Sequence, residues 1–371
     1  MSTKEFNFSY QYQEGKWQET NVSSCFSQQI CNQNLKIGAF NVLWGNSNKF
    51  INIFSRNEQR FNYILNKLIP QSDPDILSLS EVSDQFMEML TSNQHIRSNY
   101  YLSHVQRKRN DYVHEVVMIS KFPFSSIFMN DDDYGRCIFS IFTDEISSNS
   151  FMILTSHFWA YEQDYESRSK QMELIDLSIQ TNSFLENVNV PVKIQKAALD
   201  ASKKNNIILQ GDLNLHLKHE DSFIYKFGFL DVWREIHPHD DGYTWDSQKN
   251  KFIASIYILD NRRMRLDRIL LRQNSHLFKI IDIKIKAKEN IGFNLCCSDH
   301  YMLLSEIQLN QQPKMYIQKY DVSNIIMEKK TGFRTFPTII KLRILFFISI
   351  FLGIMVAPFG ITLLKNKLKQ N

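Results

Sequence analysis

Cysteine is scarce in this 371-residue chain and poorly placed for metal. Cys25, Cys31, Cys137, Cys296 and Cys297 show none of the paired spacings of a zinc site. Their odd number argues against a disulfide scaffold and for reduced thiols in the cytosol. The first ten residues, Met1 to Tyr10, lack the apolar core of a signal peptide. Glycine is scarce as well, eleven in all, and there is no internal repeat. With short strands and few helices, that composition fits a two-sheet sandwich covered by helices. A broad positive field is also missing. Residues 329–371 hold eight Lys or Arg and no acid, so the net +4 of the chain becomes −4 for the first 328 residues. A non-specific nucleic-acid binder would show the opposite balance. Two local basic runs remain as candidates for steering a phosphate: Arg107 to Arg109, and Arg262, Arg263, Arg265 and Arg268.

What is present is a series of polar residues at the ends of short apolar runs. Apolar residues make up 43% of the chain, enough for a sizeable core. Asn41 follows Ile37-Gly-Ala-Phe40, Glu81 follows Ile76-Leu-Ser-Leu-Ser80, and His157 follows Ile153-Leu-Thr-Ser156. Ile207 to Leu209 leads through Gln210 and Gly211 into Asp212 and Asn214. A carboxylate and an amide at i and i+2 share a face if the strand continues. Asp267 lies in Arg265-Leu-Asp-Arg268, and Ser298-Asp-His300 closes the series. Functional groups cluster where strands end, so one sheet edge should gather these residues. Carboxylate and amide oxygens suit Mg²⁺, and imidazoles suit phosphoryl chemistry.

The strand pattern predicts strands over 36–41, 76–80, 114–119, 151–156, 206–210, 268–271 and 302–307. Phe61, Ile64, Leu65 and Leu68 recur at helical spacing, with Pro70 expected to close that helix. A second helix is expected from about Arg168 to Phe184, its Met172, Ile175 and Ile179 facing the core. Glu14-Gly15, between Tyr10-Gln-Tyr12 and Trp17, suggests a small hairpin.

Over roughly Leu35 to Leu309 the motif order resembles the endonuclease/exonuclease/phosphatase superfamily. Within it the chain is most similar to the tyrosyl-DNA phosphodiesterase 2 branch. The carrying residues are Thr155-Ser-His157, Gly211-Asp-Leu-Asn214, Asp231-Val-Trp233, Tyr243-Thr-Trp-Asp246, Arg265-Leu-Asp-Arg268 and Ser298-Asp-His300. The resemblance implies an α/β, DNase I-like four-layer sandwich: two packed, mainly antiparallel sheets flanked by helices. It implies a metal-dependent phosphoric diester hydrolase using Mg²⁺, with Mn²⁺ as a substitute. Glu81, Asn41 and Asp299 would serve the metal. Asp212 would orient or deprotonate the attacking water, and Asn214 would hold that water or a phosphate oxygen. His300 would donate to the non-bridging oxygens, Asp267 would orient His300, and His157 would contact phosphate from the opposite side. Arg268 and Trp245 would line the substrate groove. The expected substrate is a phosphodiester, either a nucleic-acid end such as 5′-phosphotyrosyl DNA or, alternatively, a phospholipid headgroup as in neutral sphingomyelinases. A monomer is expected.

Ile344 to Leu364 is a 21-residue run without a charge, flanked by Lys341 and Arg343 and by Lys365, Lys367 and Lys369. As a helix at about 1.5 Å per residue it matches a hydrocarbon core of about 30 Å. The expected organisation is therefore a polar extension over 1–34, a catalytic domain over 35–309, a linker over 310–340, a single-pass membrane anchor over 341–365 and a basic tail over 366–371. The catalytic domain is expected to face the cytosol.

Overall fold

Two β-sheets packed face to face account for most of the fold. The structure, a computed structural model, describes residues 3–27, 30, 34–44, 55–106, 115–131, 135–145, 149–257 and 260–309. The first sheet has seven strands in the order Thr3–Phe8, Ser125–Asp131, Gly135–Thr143, Ser150–His157, Ile207–Asp212, Asp267–Arg272 and Phe229–Asp231. The second has eight, in the order Phe278–Lys286, Met302–Leu309, Asn34–Asn41, Ile76–Ser80, Val117–Ser120, Tyr101–Leu102, Tyr10–Gln13 and Lys16–Glu19. Each sheet is antiparallel except for one central parallel pair: Ser150–His157 with Ile207–Asp212, and Asn34–Asn41 with Ile76–Ser80. A parallel pair delivers two strand C-termini to the same edge.

Strand alternation divides the apolar residues between two surfaces. Phe151, Ile153, Ile208, Ile269 and Leu271 of the first sheet meet Ile37, Ile76 and Leu303 of the second in the central layer. The opposite face of the first sheet, with Met152, Leu154 and Leu209, is covered by Met172, Ile175 and Ile179 of Tyr165–Thr181 and by Ile194, Ala198 and Ala201 of Val192–Lys203. Phe61, Ile64, Leu65, Phe86 and Leu90 cover the outer face of the second sheet. The result is the expected four layers. Burying each such Leu, Ile or Phe contributes about 1.5–3 kcal/mol.

Several details differ from the sequence reading. The segment before Asn34 contributes to both sheets: Thr3–Phe8 pairs with Ser125–Asp131, and the expected hairpin Tyr10–Gln13/Lys16–Glu19 extends the second sheet. Pro70 does not close its helix. The chain runs through Asn57–Tyr63, a wide π turn at Ile64–Leu68 and Ile69–Ser72, ending at Asp73 with φ 46°. A wide turn accommodates a ring that has no N–H to give to the preceding turn. The strand bearing Asp212 stops there, and Asn214 turns away with φ 48°. The i, i+2 shared face therefore does not form. The anchor at 341–365, the linker, the tail and the basic run Arg107 to Arg109 lie outside the described residues. Among the described residues, no helix is long and apolar enough to cross a membrane.

Gly211 is the backbone position that the central pairing requires. Its φ is +135°, and a Cβ there would lie 2.0 Å from the Ser156 carbonyl oxygen on the neighbouring strand. Only glycine fits without separating the two strands. Gly211→Ala should lower the denaturant midpoint clearly, with a loss above the ~1 kcal/mol typical of point substitutions. Chemical denaturation checks this, and an unchanged midpoint would contradict the assigned strand contact.

Candidate active site

Register places the site residues. His157 is the partner of Asp212 across the parallel pair, and Asp212 is the partner of Asp267 across the next antiparallel pair. Paired residues share a face, so these three form a row at one edge of the first sheet, directed toward the second. Asn41 and Glu81 arrive from the facing parallel pair, Asn41 as the last residue of its strand and Glu81 just past Ser80. Ser298-Asp-His300 enters from the turn before Met302–Leu309. One edge thus gathers Asn41, Glu81, His157, Asp212, Asp267, Asp299 and His300; Asn214, expected with them, turns away, and its side-chain amide donates to the Phe158 carbonyl at 3.1 Å.

Asp212 is the centre of the row. It is 1% exposed. Its Oδ2 accepts from the Asn41 amide nitrogen at 2.9 Å, and its Oδ1 accepts the Asn214 backbone N–H at 3.0 Å. The Nε2 atoms of His157 and His300 each lie 3.7 Å from Asp212 Oδ2. On its other nitrogen each imidazole is fixed by a carboxylate. His300 Nδ1 donates to Asp267 at 2.8 Å, and His157 Nδ1 donates to Glu115 at 2.9 Å. Burial works against the His157 charge, yet the Glu115 hydrogen bond and the charges of Glu115, Asp212 and Glu81 push it up to about 9. His300 is likewise raised well above the ordinary histidine value, because Asp267 and Asp212 outweigh burial. Burial pushes Asp212 upward, but the two imidazoles and the Asn41 and Asn214 hydrogen bonds hold it below the usual carboxylate range.

Glu81 is the solvent-facing carboxylate, its side chain 24% exposed. Oε1 accepts from the Asn41 amide at 2.8 Å and Oε2 accepts the Trp44 N–H at 2.9 Å. The Asn41 amide therefore bridges Glu81 and Asp212. Glu81, Leu43 and Asn214 all have positive φ (57°, 60° and 48°), a concentration of backbone strain around the site. Asp299 is buried; burial and the Glu81 charge push its carboxyl up to about 6, against His300 and Arg60.

These residues suit a divalent cation. Glu81, His157 and Asp212 bring one ligand atom each within 4.8 Å of one another, and Asp212, Asp267 and His300 do the same. His157 Nε2 is buried without a hydrogen-bond partner, 3.9 Å from Glu81 and 3.7 Å from Asp212. Crowded carboxylates are what a cation would relieve, and the oxygen-rich donor set favours a hard ion. Asp299 belongs to neither cluster.

Two expected groove residues are placed differently. Arg268 sits on the opposite face of its strand, buried, and pairs with Asp221 at 3.1 Å and Asp231 at 3.4 Å. Alternation from Asp267 dictates this. Arg265 joins the same network through Asp231 and Asp221. Arg262 pairs with Asp260, and Arg263 with Asp246. These four guanidinium groups are engaged by carboxylates. Trp245 is 7% exposed and stands edge-on to the His300 ring, centroids 5.3 Å apart, so it buttresses the imidazole. Thr244 beside it accepts the Leu266 and Asp267 N–H groups on its hydroxyl and the Tyr301 N–H on its carbonyl. This threonine therefore ties together the two chain segments that carry Asp267 and His300. Asp231 caps Val232–Ile236 through the Trp233 N–H at 3.0 Å. Sequence reasoning missed Glu115, at the entry of an apolar strand run, and Arg60, on a helix whose apolar stripe drew the attention.

No protein-family model matches the chain. It is similar to tyrosyl-DNA phosphodiesterase 2 of Xenopus tropicalis, 27% identical over 172 residues, which are 44% of this chain and 39% of that protein. The Xenopus laevis protein of the same name matches to the same extent. The match thus spans about two fifths of the length of these curated relatives. Among solved structures, D. rerio TDP2 complexed with single strand DNA product aligns with TM-score 0.51 and 16% identity, over 74% of this chain and 99% of that one. Truncated Caenorhabditis elegans TDP2 aligns with TM-score 0.50 and 15% identity, over 76% and 100%. An endonuclease/exonuclease/phosphatase from Bacteroides vulgatus gives TM-score 0.50 and 14% identity, over 75% and 100%. The chain carries the DNase I-like fold of the endonuclease/exonuclease/phosphatase proteins and is related to tyrosyl-DNA phosphodiesterase 2.

Proposed function

We propose, from this kinship and the geometry around Asp212, that the chain is a Mg²⁺-dependent phosphodiesterase acting on a 5′-phosphotyrosyl nucleic-acid end. The observation that carries the reading is the pair of imidazole Nε2 atoms, each 3.7 Å from one Asp212 oxygen. That separation is too long for a hydrogen bond and leaves both N–H groups for the oxygens of a guest. Asp212 orients the attacking water. His300, set by Asp267, donates to the non-bridging oxygens as charge builds on them. His157, set by Glu115, does so from the other side. Asn214 fixes Asp212 through its backbone N–H. Glu81, with Asn41 and Asp299 nearby, would hold the cation, which when bound neutralises phosphate charge and stabilises the leaving oxygen.

The substrate assignment draws on the named relatives and on two exposed aromatics. Trp44 (38% exposed) and Tyr161 (46%) lie on the turns that follow Asn41 and His157. Flat side chains beside a phosphate site favour a base or phenol ring attached to that phosphate. With the basic residues 262–268 engaged by carboxylates, stacking is the better source of affinity.

The decisive assay gives the full chain a 5′-phosphotyrosyl oligonucleotide and sphingomyelin vesicles side by side, with Mg²⁺ or EDTA. The expected outcome is hydrolysis of the oligonucleotide in Mg²⁺ alone. Cleavage of sphingomyelin instead would establish the phospholipid alternative. Glu81→Gln should abolish turnover without unfolding the protein. His300→Ala should lower kcat about 10²-fold or more, and Asp267→Asn by less, because it acts through the imidazole. A silent His300→Ala would sink the proposed role.

We also propose that the run from Ile344 to Leu364 anchors the chain in a membrane with the catalytic domain toward the cytosol, on the strength of its length and lack of charge. Deleting residues from 340 onward should move the protein from the membrane pellet to the supernatant on fractionation. Recovery of the intact chain in the supernatant would exclude the anchor.

A further inference from the structure

Arg60 is fully buried, and its five N–H donors have five acceptors. Nε donates to the Ser55 carbonyl at 2.8 Å. Nη1 donates to the carbonyls of Val42 at 2.9 Å and Cys297 at 3.0 Å. Nη2 donates to the Leu43 carbonyl at 3.3 Å and to Asn57 Oδ1 at 2.8 Å. A guanidinium has five N–H bonds, so its hydrogen-bonding capacity is complete. None of these acceptors is a carboxylate. Phe61 and Phe252 flank the group at 5.0 and 5.3 Å.

The acceptors come from both walls of the candidate site. Val42 and Leu43 directly follow Asn41, and the Leu43 N–H returns to Asn41 Oδ1 at 2.9 Å. Cys297 directly precedes Ser298-Asp-His300, and the Ser298 hydroxyl donates to the Asn41 carbonyl at 2.7 Å. One planar group therefore fixes the spacing between the turn carrying Asn41 and the turn carrying Asp299 and His300. Its effect as a charge would be opposite in sign. A buried cation whose charge reaches Asp299 and Glu81 weakens the binding of a second cation there.

We propose that Arg60 is a positioning residue whose fork, rather than its charge, sets the affinity of this site for a divalent cation. The inference rests on the reading that the site holds such an ion. Lysine keeps the charge but offers three donors from a single point, so it cannot span the same acceptors.

The test uses the purified full chain and its Arg60→Lys and Arg60→Met variants. Mn²⁺ binding is measured by titration calorimetry, the unfolding midpoint is read in EDTA, and kcat and KM are measured on the phosphotyrosyl oligonucleotide. Both variants should bind Mn²⁺ about 10- to 100-fold more weakly, the range for loss of a residue that orients metal ligands. kcat should fall with KM nearly unchanged. Wild-type-like binding by Arg60→Lys together with tighter binding by Arg60→Met would show that charge governs and overturn the proposal. Absence of Mn²⁺ binding by the unsubstituted chain would overturn the cation reading, and the proposal with it. Should neither variant fold, Asn57→Ala removes one of the five acceptors. It should weaken Mn²⁺ binding by a smaller factor, and unchanged binding would contradict the proposal.

Discussion

Asp212 is an anion taken out of water, and the architecture around it compensates for that. An unpaired buried carboxylate costs several kcal/mol, enough to shift its protonation or unfold its surroundings. Here the compensation comes from one amide, one backbone N–H and two imidazoles, drawn from both sheets. Each imidazole is in turn held by a carboxylate of its own. The site is thus an alternating array of negative and positive groups along a sheet edge. It exists only if the strand registers are held, and Gly211, Thr244 and Arg60 hold them at three different points.

Where the sequence was legible, it was because strand ends announce themselves. An apolar run followed by an isolated polar residue located Asn41, Glu81, His157 and Asp212, and the structure brings all four to one edge. Arg268 was misplaced because a motif read linearly ignores alternation: its neighbour Asp267 faces the site, so Arg268 faces the helices. Trp245 carried no directional signal, since an aromatic after a turn can buttress or line a groove. Glu115 and Arg60 were invisible for a different reason. Their roles are fixed by tertiary contacts with His157 and with the Val42 and Cys297 carbonyls, more than forty and more than two hundred residues away at the extremes. Phe61 and Leu65 make the Arg60 helix look like simple core packing, and its buried cation reads as a surface charge until the fold is seen.

The paired arginines also bear on how a substrate would be held. The Arg265-Leu-Asp-Arg268 segment supports the fold through Asp221 and Asp231 and contributes only Asp267 to the edge. With the first 328 residues net negative, attraction of a polyanion has to be local. In the proposed reading, the two raised imidazoles and the exposed Trp44, whose backbone N–H donates to Glu81, would supply local contacts of that kind.

The protonation of these imidazoles tests the account most directly. NMR titration of labelled histidine in the cation-free protein reads each ring separately. His157 should still be protonated at pH 7.5 and titrate near the value of about 9 to which its carboxylate neighbours push it. Replacing Asp212 by Asn should lower both the His157 and the His300 transitions. Rings that titrate at or below the ordinary histidine value of about 6.5, and that do not respond to Asp212→Asn, would contradict the claim that buried charge alternation organises this site.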